Sequence, residues 1–225
     1  DLGISSCPDD FFQCDRRWGS HMVVIGIGNN YSAYGGLVAG GINETIGAYS
    51  TVSGGAYNVA SGGNSSVSGG FNNRASGGSS SVSGGLGNEA SAETSTVSGG
   101  EDNIASGPRS SVSGGFLNEA SAVTSTVSGG QANGASGERS SVSGGKGNNA
   151  SGYGSSVSGG DSNTASSNYA SVTGGSSNKA SGEVSSVSGG ETNSASGLAS
   201  SVSGGVGNAA SGIYCVEGSD PTTDC

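Results

Sequence analysis

The stretch SSVSGGFNNRASGG, residues 65–78, returns down the chain with small variations. When the copies are aligned on VSGG, valine recurs at every fifteenth position without a slip, at positions 52, 67, 82, 97, 112, 127, 142, 157, 172, 187 and 202. Eleven copies follow the pattern VSGGxxNxASGxxSS. Two looser copies precede them, at Val38 and at Val24, and their intervals are one residue shorter. A fixed period of this length is typical of stacked structural repeats.

The composition excludes an ordinary globular core. Among 225 residues there are 47 glycines but only four phenylalanines, one tryptophan and one methionine. Chains rich in glycine and serine usually stay disordered, because they bury too little apolar surface to offset the entropy of ordering. The strict period argues against disorder here and favours a thin, repetitive core.

Each repeat contains two similar halves, one beginning Val-Ser-Gly and the other Ala-Ser-Gly. Each half offers one short strand followed by a glycine corner, and apolar residues do not recur at helical spacing. We therefore predict an all-β fold, a parallel β-solenoid (β-roll) with about 11 regular 15-residue coils, one or two looser N-terminal coils and two short strands per coil. With coils stacked about 4.8 Å apart, the rod would be roughly 60 Å long.

The alternation of side chains along a strand predicts the core. If Val52 points inward, then Thr51 and Ser53 point outward, and Ala60 provides the facing inward position. A column of valines would then face a column of alanines across a narrow interior.

Glycine and asparagine mark the corners of each coil. Gly54, Gly55 and Gly62 lie where the chain turns back, where a positive φ is often needed. One asparagine near this corner recurs in every coil, and we expect it to form a ladder of hydrogen bonds along the stack or to satisfy turn backbone groups, with a row of ligand-binding amides as the alternative. The ladder positions are Asn58, Asn73, Asn88, Asn103, Asn118, Asn133, Asn148, Asn163, Asn178, Asn193 and Asn208.

Cysteine occurs only near the two ends, as Cys7 and Cys14 and as Cys215 and Cys225. Local disulfides, Cys7 with Cys14 and Cys215 with Cys225, are the simplest pairing, because the ends of a long rod cannot meet. Free thiols and bridges between subunits are the alternatives. An even cysteine count in an acidic chain favours an extracellular or cell-surface setting.

The ends also suggest the division of the chain. The terminal coils of a solenoid expose unpaired strand edges, which invite stacking on another molecule. We expect residues 1–22 to form a cysteine-bearing cap or coupling segment, residues 23–212 to form the solenoid, and residues 213–225 to form a second cap or coupling segment.

Charge and chemistry exclude several functions. The formal net charge is −10, and the few basic residues are scattered, so neither nucleic acid nor an anionic membrane is an expected partner. No apolar run approaches the roughly 20 residues of a membrane span. We expect no catalytic residue, no metal and no cofactor, because His21 is the single histidine and residues 26–31 match a dinucleotide loop only weakly. The acidic residues near the ends, Asp9, Asp10, Asp220 and Asp224, are interpreted as solvated rather than calcium-binding.

The outward positions beside the valine are serine or threonine in every regular coil. One interpretation is a face that packs against copies of the chain, a second is contact with a regular surface such as ice or a polysaccharide, and a third is uniformity left by recent duplication. The predicted face begins with Thr51, Ser53, Ser66, Ser68, Ser81, Ser83, Thr96, Ser98, Ser111, Ser113, Thr126 and Ser128.

Four sequons provide candidate sites for N-linked glycosylation. They begin at Asn30, Asn43, Asn64 and Asn149. They matter only if the source organism modifies such sites, and a few are expected by chance in so serine-rich a chain.

The repeat resembles the head repeats of trimeric autotransporter adhesins, over residues 38–212 and in part from residue 24. Residues 66–70, SVSGG, and residues 75–77, ASG, are similar to the two strands of that family's coil. The resemblance implies a left-handed parallel β-roll, surface display, trimerisation and adhesion to host or matrix polymers. The period differs, since the family's coil is one residue shorter than the regular coil of this chain.

Together these observations predict a non-enzymatic, secreted structural or adhesive solenoid that assembles with copies of itself, laterally or end to end, into surface fibres or multimers. The first alternative is an ice-binding solenoid that uses the Ser/Thr-x-Ser face. The second is an adhesin head that binds glycan or matrix.

Overall fold

The computed structural model of the chain describes residues 21–218. Within this range the chain forms 27 short β-strands in two sheets and no helix. Successive strands alternate between the sheets, and each strand pairs in parallel with the strand one coil away. The predicted parallel β-solenoid is confirmed, with about 13 turns and two short strands per turn.

The two sheets are named for their inward residues. The Val sheet contains Met22–Ile27 (β1), Gly36–Gly41 (β3), Thr51–Val52 (β5), Ser66–Val67 (β7), Ser81–Val82 (β9), Thr96–Val97 (β11), Ser111–Val112 (β13), Thr126–Val127 (β15), Ser141–Val142 (β17), Ser156–Val157 (β19), Ser171–Val172 (β21), Ser186–Val187 (β23), Ser201–Val202 (β25) and Val216–Glu217 (β27). The Ala sheet contains Asn30–Tyr31 (β2), Glu44–Thr45 (β4), Val59–Ala60 (β6), Arg74–Ala75 (β8), Glu89–Ala90 (β10), Ile104–Ala105 (β12), Glu119–Ala120 (β14), Gly134–Ala135 (β16), Asn149–Ala150 (β18), Thr164–Ala165 (β20), Lys179–Ala180 (β22), Ser194–Ala195 (β24) and Ala209–Ala210 (β26).

The strand register places equivalent residues of neighbouring coils side by side. Val52 pairs with Val67 and Ala60 pairs with Ala75, as the period predicts. Val24 pairs with Val38, and Val38 pairs with Val52, so both looser N-terminal copies are coils of the same solenoid.

The core consists of narrow columns. Val52 and Ala60 are fully buried, and their equivalents along the stack are buried in the same way. The flanking residues Thr51 and Ser53 point away from the interior. The predicted column of valines facing a column of alanines is therefore confirmed, and only small side chains fit between sheets joined by such short turns.

Each coil has two turns, which differ in what they require of glycine. In the first turn, between a Val-sheet strand and the next Ala-sheet strand, Gly55 has φ +75° and a Cβ there would lie 2.1 Å from the carbonyl oxygen of Gly70. In the second turn, Gly62 does not have a positive φ, contrary to our expectation. A Cβ on Gly62 would lie 2.0 Å from the carbonyl oxygen of Gly77 in the next coil, so the backbone must shift in the coils where Ala92, Ala122 or Ser167 takes this position.

Positive φ instead recurs at two positions per coil that mostly lack glycine. In the first turn it falls on Tyr57 (φ 59°) and its equivalents, and in the second turn on Asn64 (φ 57°) and its equivalents. The sequence did not predict these positions, because the residues there vary freely along the stack.

The shorter N-terminal coils differ from the regular coils in the first turn. Gly41, three residues after Val38, pairs with Ala56, four residues after Val52. Gly40 and Gly55 both have positive φ and both lie against the ladder asparagine of their own coil, so the additional residue of the longer coil lies between Val52 and Gly55. This residue interrupts the strand: β3 runs continuously for six residues, whereas β5 has two followed by an isolated bridge. One extra residue opposite a shorter partner is a bulge.

Candidate functional site

The asparagine column is buried and fully engaged in hydrogen bonds. The side-chain oxygen of Asn118 accepts the backbone N–H of Asn133 at 3.0 Å. Its side-chain nitrogen donates to the carbonyl oxygens of Gly114 at 2.9 Å and Gly130 at 3.0 Å. Each asparagine thus closes its own first turn and bonds to the next coil. We infer a structural role, because a buried amide with these partners has no group to offer a ligand.

Direct contacts between side-chain amides are rare in the column. They occur from Asn73 to Asn58 and from Asn103 to Asn88, each at 3.2 Å. The ladder therefore runs mainly from side chain to backbone, which differs from the stacked amides of cross-β assemblies.

A buried serine column accompanies the ladder and was missed by the sequence analysis. It lies two residues before each valine, and Ser110 and Ser140 have side-chain oxygens with no hydrogen-bond partner among the described residues. Ser95 is different, because its Oγ donates to the carbonyl of Ala92 at 2.8 Å and accepts that residue's N–H at 3.2 Å. The signal was the near-invariance of this serine, which is replaced only by Ala170 in the regular repeats.

Cys215 occupies the end of this serine column and is buried. The other three cysteines, Cys7, Cys14 and Cys225, lie outside the described residues, as do most of the two predicted cap segments. The last strand, β27, belongs to the segment expected to form the C-terminal cap, and there Glu217 takes the valine position opposite Val202.

The predicted hydroxyl face is the outer surface of the Val sheet. The serines and threonines just before each valine are half-buried, and those just after it are exposed. Register pairing places them in two straight columns; for example, Thr51 lies beside Ser66 and Ser81 lies beside Thr96. The structure thus brings together all the predicted face residues, from Thr51 to Ser128.

This outer face carries no charged side chain at the two columns in residues 21–218. Charged residues lie instead on the outer surface of the Ala sheet, as with Glu89 and Lys179, or in the turns, as with Glu101 and Arg139. Among the described residues, Arg139 and Glu138 form an exposed ion pair at 3.8 Å.

Apolar residues mark both ends of the same face. Val23 and Ile25 of β1 are exposed there, and Val216 of β27 is 65% exposed. Val23 pairs with Leu37, and Val216 pairs with Ser201, so these residues continue the column that runs through Thr51.

The sequon asparagines occupy different environments. Asn30, Asn64 and Asn149 are exposed. Asn43 is buried and occupies the ladder position of its own coil. Its side-chain nitrogen donates to the carbonyl oxygen of Ala39 at 2.6 Å. The folded chain therefore offers three of the four sequons to solvent.

Neither metal chemistry nor a membrane helix is visible in the described part of the chain. No group of three or more His, Cys, Asp or Glu side chains is placed to hold a metal ion in residues 21–218. Over the same residues, no helix has the length and apolar character needed to cross a membrane.

Comparison with known proteins finds a similarity in two of the repeats. Residues 65–77 and 95–107 match the family described as the Ubiquitous surface protein adhesin repeat. No curated protein gives a significant match to the chain. The repeat family and the solenoid fold support an adhesive, structural role. The two matched repeats and the parallel β-solenoid together confirm the resemblance to the repeats of trimeric autotransporter adhesins.

Proposed function

We propose that the chain is a secreted adhesive rod of the cell surface, and that copies of it associate side by side through the outer face of the Val sheet. The observation that carries this proposal is that one long face has no charged side chain in residues 21–218. The chain as a whole has a formal net charge of −10. The resemblance to adhesin repeats supports the adhesive role, and the trimer it implies is one assembly that this face would serve.

Electrostatics selects the face. Two strongly acidic rods repel each other when their charged surfaces approach, and the repulsion is strongest where the charges are closest. The Ala sheet and the turns carry the charged side chains, whereas the Val sheet presents only hydroxyls and apolar groups outward. Serine is also small, so two such surfaces approach closely along their whole length.

The apolar ends favour lateral association over end-to-end stacking. Val23, Ile25 and Val216 point away from the sheet, perpendicular to the rod axis, because side chains stand nearly perpendicular to a sheet. A copy stacked on the end of the rod would leave these residues in water, whereas a copy beside the rod would cover them. Covering them is favourable at about 25 cal/mol per Å² of apolar surface.

The cysteine-bearing segments complete the proposal. Within residues 21–218, β1 and β27 are the outermost strands of the Val sheet. We propose that residues 1–22 and 213–225 cap or couple these edges, held by disulfides of Cys7, Cys14, Cys215 and Cys225, because an open strand edge promotes uncontrolled stacking.

Sedimentation velocity of matched charge variants tests the association. Three glutamates placed on the Val-sheet face, Ser113→Glu, Ser128→Glu and Ser143→Glu, are expected to convert the multimer to a monomer. The control has the same three substitutions in the same coils on the opposite face, at Ser121, Ser136 and Ser151, and so has the same net charge. The control is expected to remain assembled. A monomeric parent chain at high concentration, or equal dissociation of both variants, would refute the proposal.

Ice binding is the second candidate function, and the in-register pair of hydroxyl columns favours it. Ice-binding faces need a flat, regular array, which the strand pairing provides at one coil spacing. Serine dominates the half-buried column, in which Thr51, Thr96 and Thr126 are the regular-coil threonines that add a methyl group. A thermal hysteresis measurement distinguishes this function from assembly: activity that Ser128→Glu abolishes would support it, and no activity in the parent chain would remove it.

A further inference from the structure

An aromatic cluster lies on the second-turn edge of the rod near its N-terminal end. The ring of His21 lies 5.0 Å from that of Tyr34, measured between centroids. The ring of Tyr34 meets that of Tyr49 edge to face, at 5.7 Å and 87°. Tyr34 is 48% exposed and Tyr49 is 59% exposed.

A second cluster with a similar composition lies further along the same edge. The guanidinium of Arg139 lies 5.4 Å from the ring centroid of Tyr153 and donates a hydrogen bond to its hydroxyl. The ring of Tyr153 meets that of Tyr169 edge to face, at 5.5 Å and 80°. Tyr169 is 56% exposed.

The two clusters occupy equivalent positions in three consecutive coils. His21 and Arg139 each lie three residues before a valine, Tyr34 and Tyr153 each lie four residues before the next valine, and Tyr49 and Tyr169 each lie three residues before the one after. The two clusters therefore repeat one arrangement: a nitrogen-bearing side chain, a tyrosine on the next coil, and a second tyrosine one coil later.

Glycine makes room for the second tyrosine in both clusters. Gly35 and Gly154 belong to the second-turn column of positive φ, where the other members, such as Asn64 and Thr94, adopt that conformation without glycine. A Cβ on Gly35 would lie 2.9 Å from the ring of Tyr49, and one on Gly154 would lie 3.1 Å from the ring of Tyr169. Gly35 and Gly154 are thus each followed, one coil later in this column, by a tyrosine whose ring lies over the glycine backbone.

We propose that each cluster is a platform for a segment of a neutral carbohydrate polymer. A sugar ring has an apolar C–H face and a rim of hydroxyls, which matches a rigid tyrosine with an apolar ring and a polar hydroxyl. The exposed face of Tyr49 or Tyr169 stacks on the sugar. The phenol hydroxyls, together with the imidazole of His21 or the guanidinium of Arg139, bond to its hydroxyl rim.

The charges around the clusters select a neutral polymer. Arg139 has Glu138 within 3.8 Å, and the formal net charge of the chain is −10. A sulfated or carboxylated polymer would be repelled by this field and would find no cluster of cations among the described residues to offset the repulsion.

The two platforms act together on a long polymer. Eight coils separate them, which corresponds to about 38 Å along the rod at the spacing of parallel strands. A polymer that spans this distance engages both platforms of one chain, and the second contact becomes intramolecular. A short oligosaccharide binds each platform separately.

This proposal rests on the adhesive role proposed above but not on the association of copies, because the platforms lie in the second turns and not on the Val-sheet face. The two proposals can therefore fail independently, and sedimentation velocity of each variant shows whether association persists.

Native gel electrophoresis in gels that contain hydroxyethylcellulose or glucomannan tests the platforms on the full chain. We expect retardation of the parent chain by at least one of these neutral polymers, and none by heparin or hyaluronan. The double variant Tyr153→Ala, Tyr169→Ala should bind at least tenfold more weakly, and additional Tyr34→Ala and Tyr49→Ala should abolish the retardation.

The matched control is the double variant Tyr57→Ala, Phe71→Ala. It removes the exposed aromatic pair of the first turn, whose ring centroids lie 5.2 Å apart, and it should bind as the parent chain does.

Calorimetry with a hexasaccharide of the retarding polymer provides a second readout that does not depend on avidity. We expect two sites per parent chain and one site of unchanged affinity in either double variant. Circular dichroism of each variant establishes that it is folded. The conservative variant Tyr169→Phe keeps the ring that stacks on the sugar and should retain binding. The proposal is overturned if neither neutral polymer retards the parent chain, if only the acidic polymers do, or if the first-turn control loses as much affinity as the platform variants.

Discussion

At the scale of single residues, the stability of the rod depends on buried amides. Each ladder asparagine bonds to its own turn and to backbone groups of neighbouring coils, as Asn118 does with Gly114, Gly130 and Asn133. In this narrow core, the hydrogen bonds of the amide provide stability that a thicker core would obtain from the packing of larger apolar residues. Hydrogen bonds that satisfy buried backbone groups are costly to lose, because the orphaned group has been removed from water.

Asn118→Ala should therefore be strongly destabilising. It leaves the N–H of Asn133 and the carbonyl of Gly114 without their side-chain partner, and we expect the free energy of unfolding to fall by about 3 kcal/mol. Chemical denaturation followed by circular dichroism measures this loss. Asn149→Ala, on the exposed face of the Ala sheet, is the control and should change stability by less than about 0.5 kcal/mol. A loss below about 1 kcal/mol for Asn118→Ala would contradict the structural role of the ladder.

Residues in the left-handed region provide a second prediction at this scale. Val184 is β-branched, is exposed and has φ 58°. Such a residue is strained there by roughly 1–2 kcal/mol, whereas asparagine tolerates the conformation. Val184→Asn should raise the free energy of unfolding by about 1 kcal/mol.

The control is the same substitution one position earlier in an equivalent turn. Val123→Asn places asparagine where Asn168 stands in a later coil, at a position without positive φ. It should leave the thermal midpoint nearly unchanged. If both variants shift the midpoint equally, backbone strain is not the cause.

At the scale of elements, strands of two residues are stable only because each pairs on both sides with equivalent strands. The first turn tolerates a change in length, since the coils that begin at Val24 and Val38 have one residue fewer there. The second turn does not vary, because the same interval separates Tyr31 from Val38, Thr45 from Val52 and Ala60 from Val67.

Deletion of Gly129 should accordingly be tolerated. It shortens one regular coil to the length of the coil that begins at Val38, and each contact with its two longer neighbours should then resemble the existing contact between β3 and β5. We expect the β spectrum to persist and the thermal midpoint to fall by only a few degrees.

Deletion of Glu138, an exposed residue of the second turn, should instead be severely destabilising. It shifts the following strand by one residue and turns its inward side chain to the solvent. Thermal melting of the two deletions side by side measures the difference, and equal tolerance would show that the second turn adapts as the first does.

At the scale of the whole molecule, the rod is a one-dimensional stack in which each coil contacts only its neighbours. Its stability is then a sum of repeated coil and interface contributions, and its length scales with the number of coils. An adhesive rod benefits from this property, because the number of repeats sets the distance between a binding platform and the point at which the rod is attached.

Excision of residues 113–142 tests the additivity of the stack. The deletion removes two complete coils and joins Val112 to Ser143, so the register is preserved. We expect a folded rod about 10 Å shorter by small-angle X-ray scattering, with a modestly lower thermal midpoint.

The control excision removes residues 113–134, which is one and a half coils and places Val112 next to Ala135. Because a half-coil is missing, residues of the Val sheet would fall at positions of the Ala sheet in the coils that follow. We expect this variant to lose cooperative melting. A cooperative transition in both variants would mean that the coils do not depend on their neighbours.

The sequence by itself determined the solenoid, the number of coils and the inward columns. It could do so because every stabilising contact recurs at one interval, so the period of the sequence is also the period of the contacts. Only the tertiary structure decided which group each asparagine binds, why Gly62 must be small and where the fifteenth residue is accommodated. Those features depend on distances of a few ångströms between backbones of adjacent coils, and the residues that reveal them, such as Tyr57 and Asn64, vary freely along the chain. The hydroxyl face was predicted from the period, whereas the paired tyrosine clusters became visible only once residues one and two coils apart were brought into line along the second-turn edge.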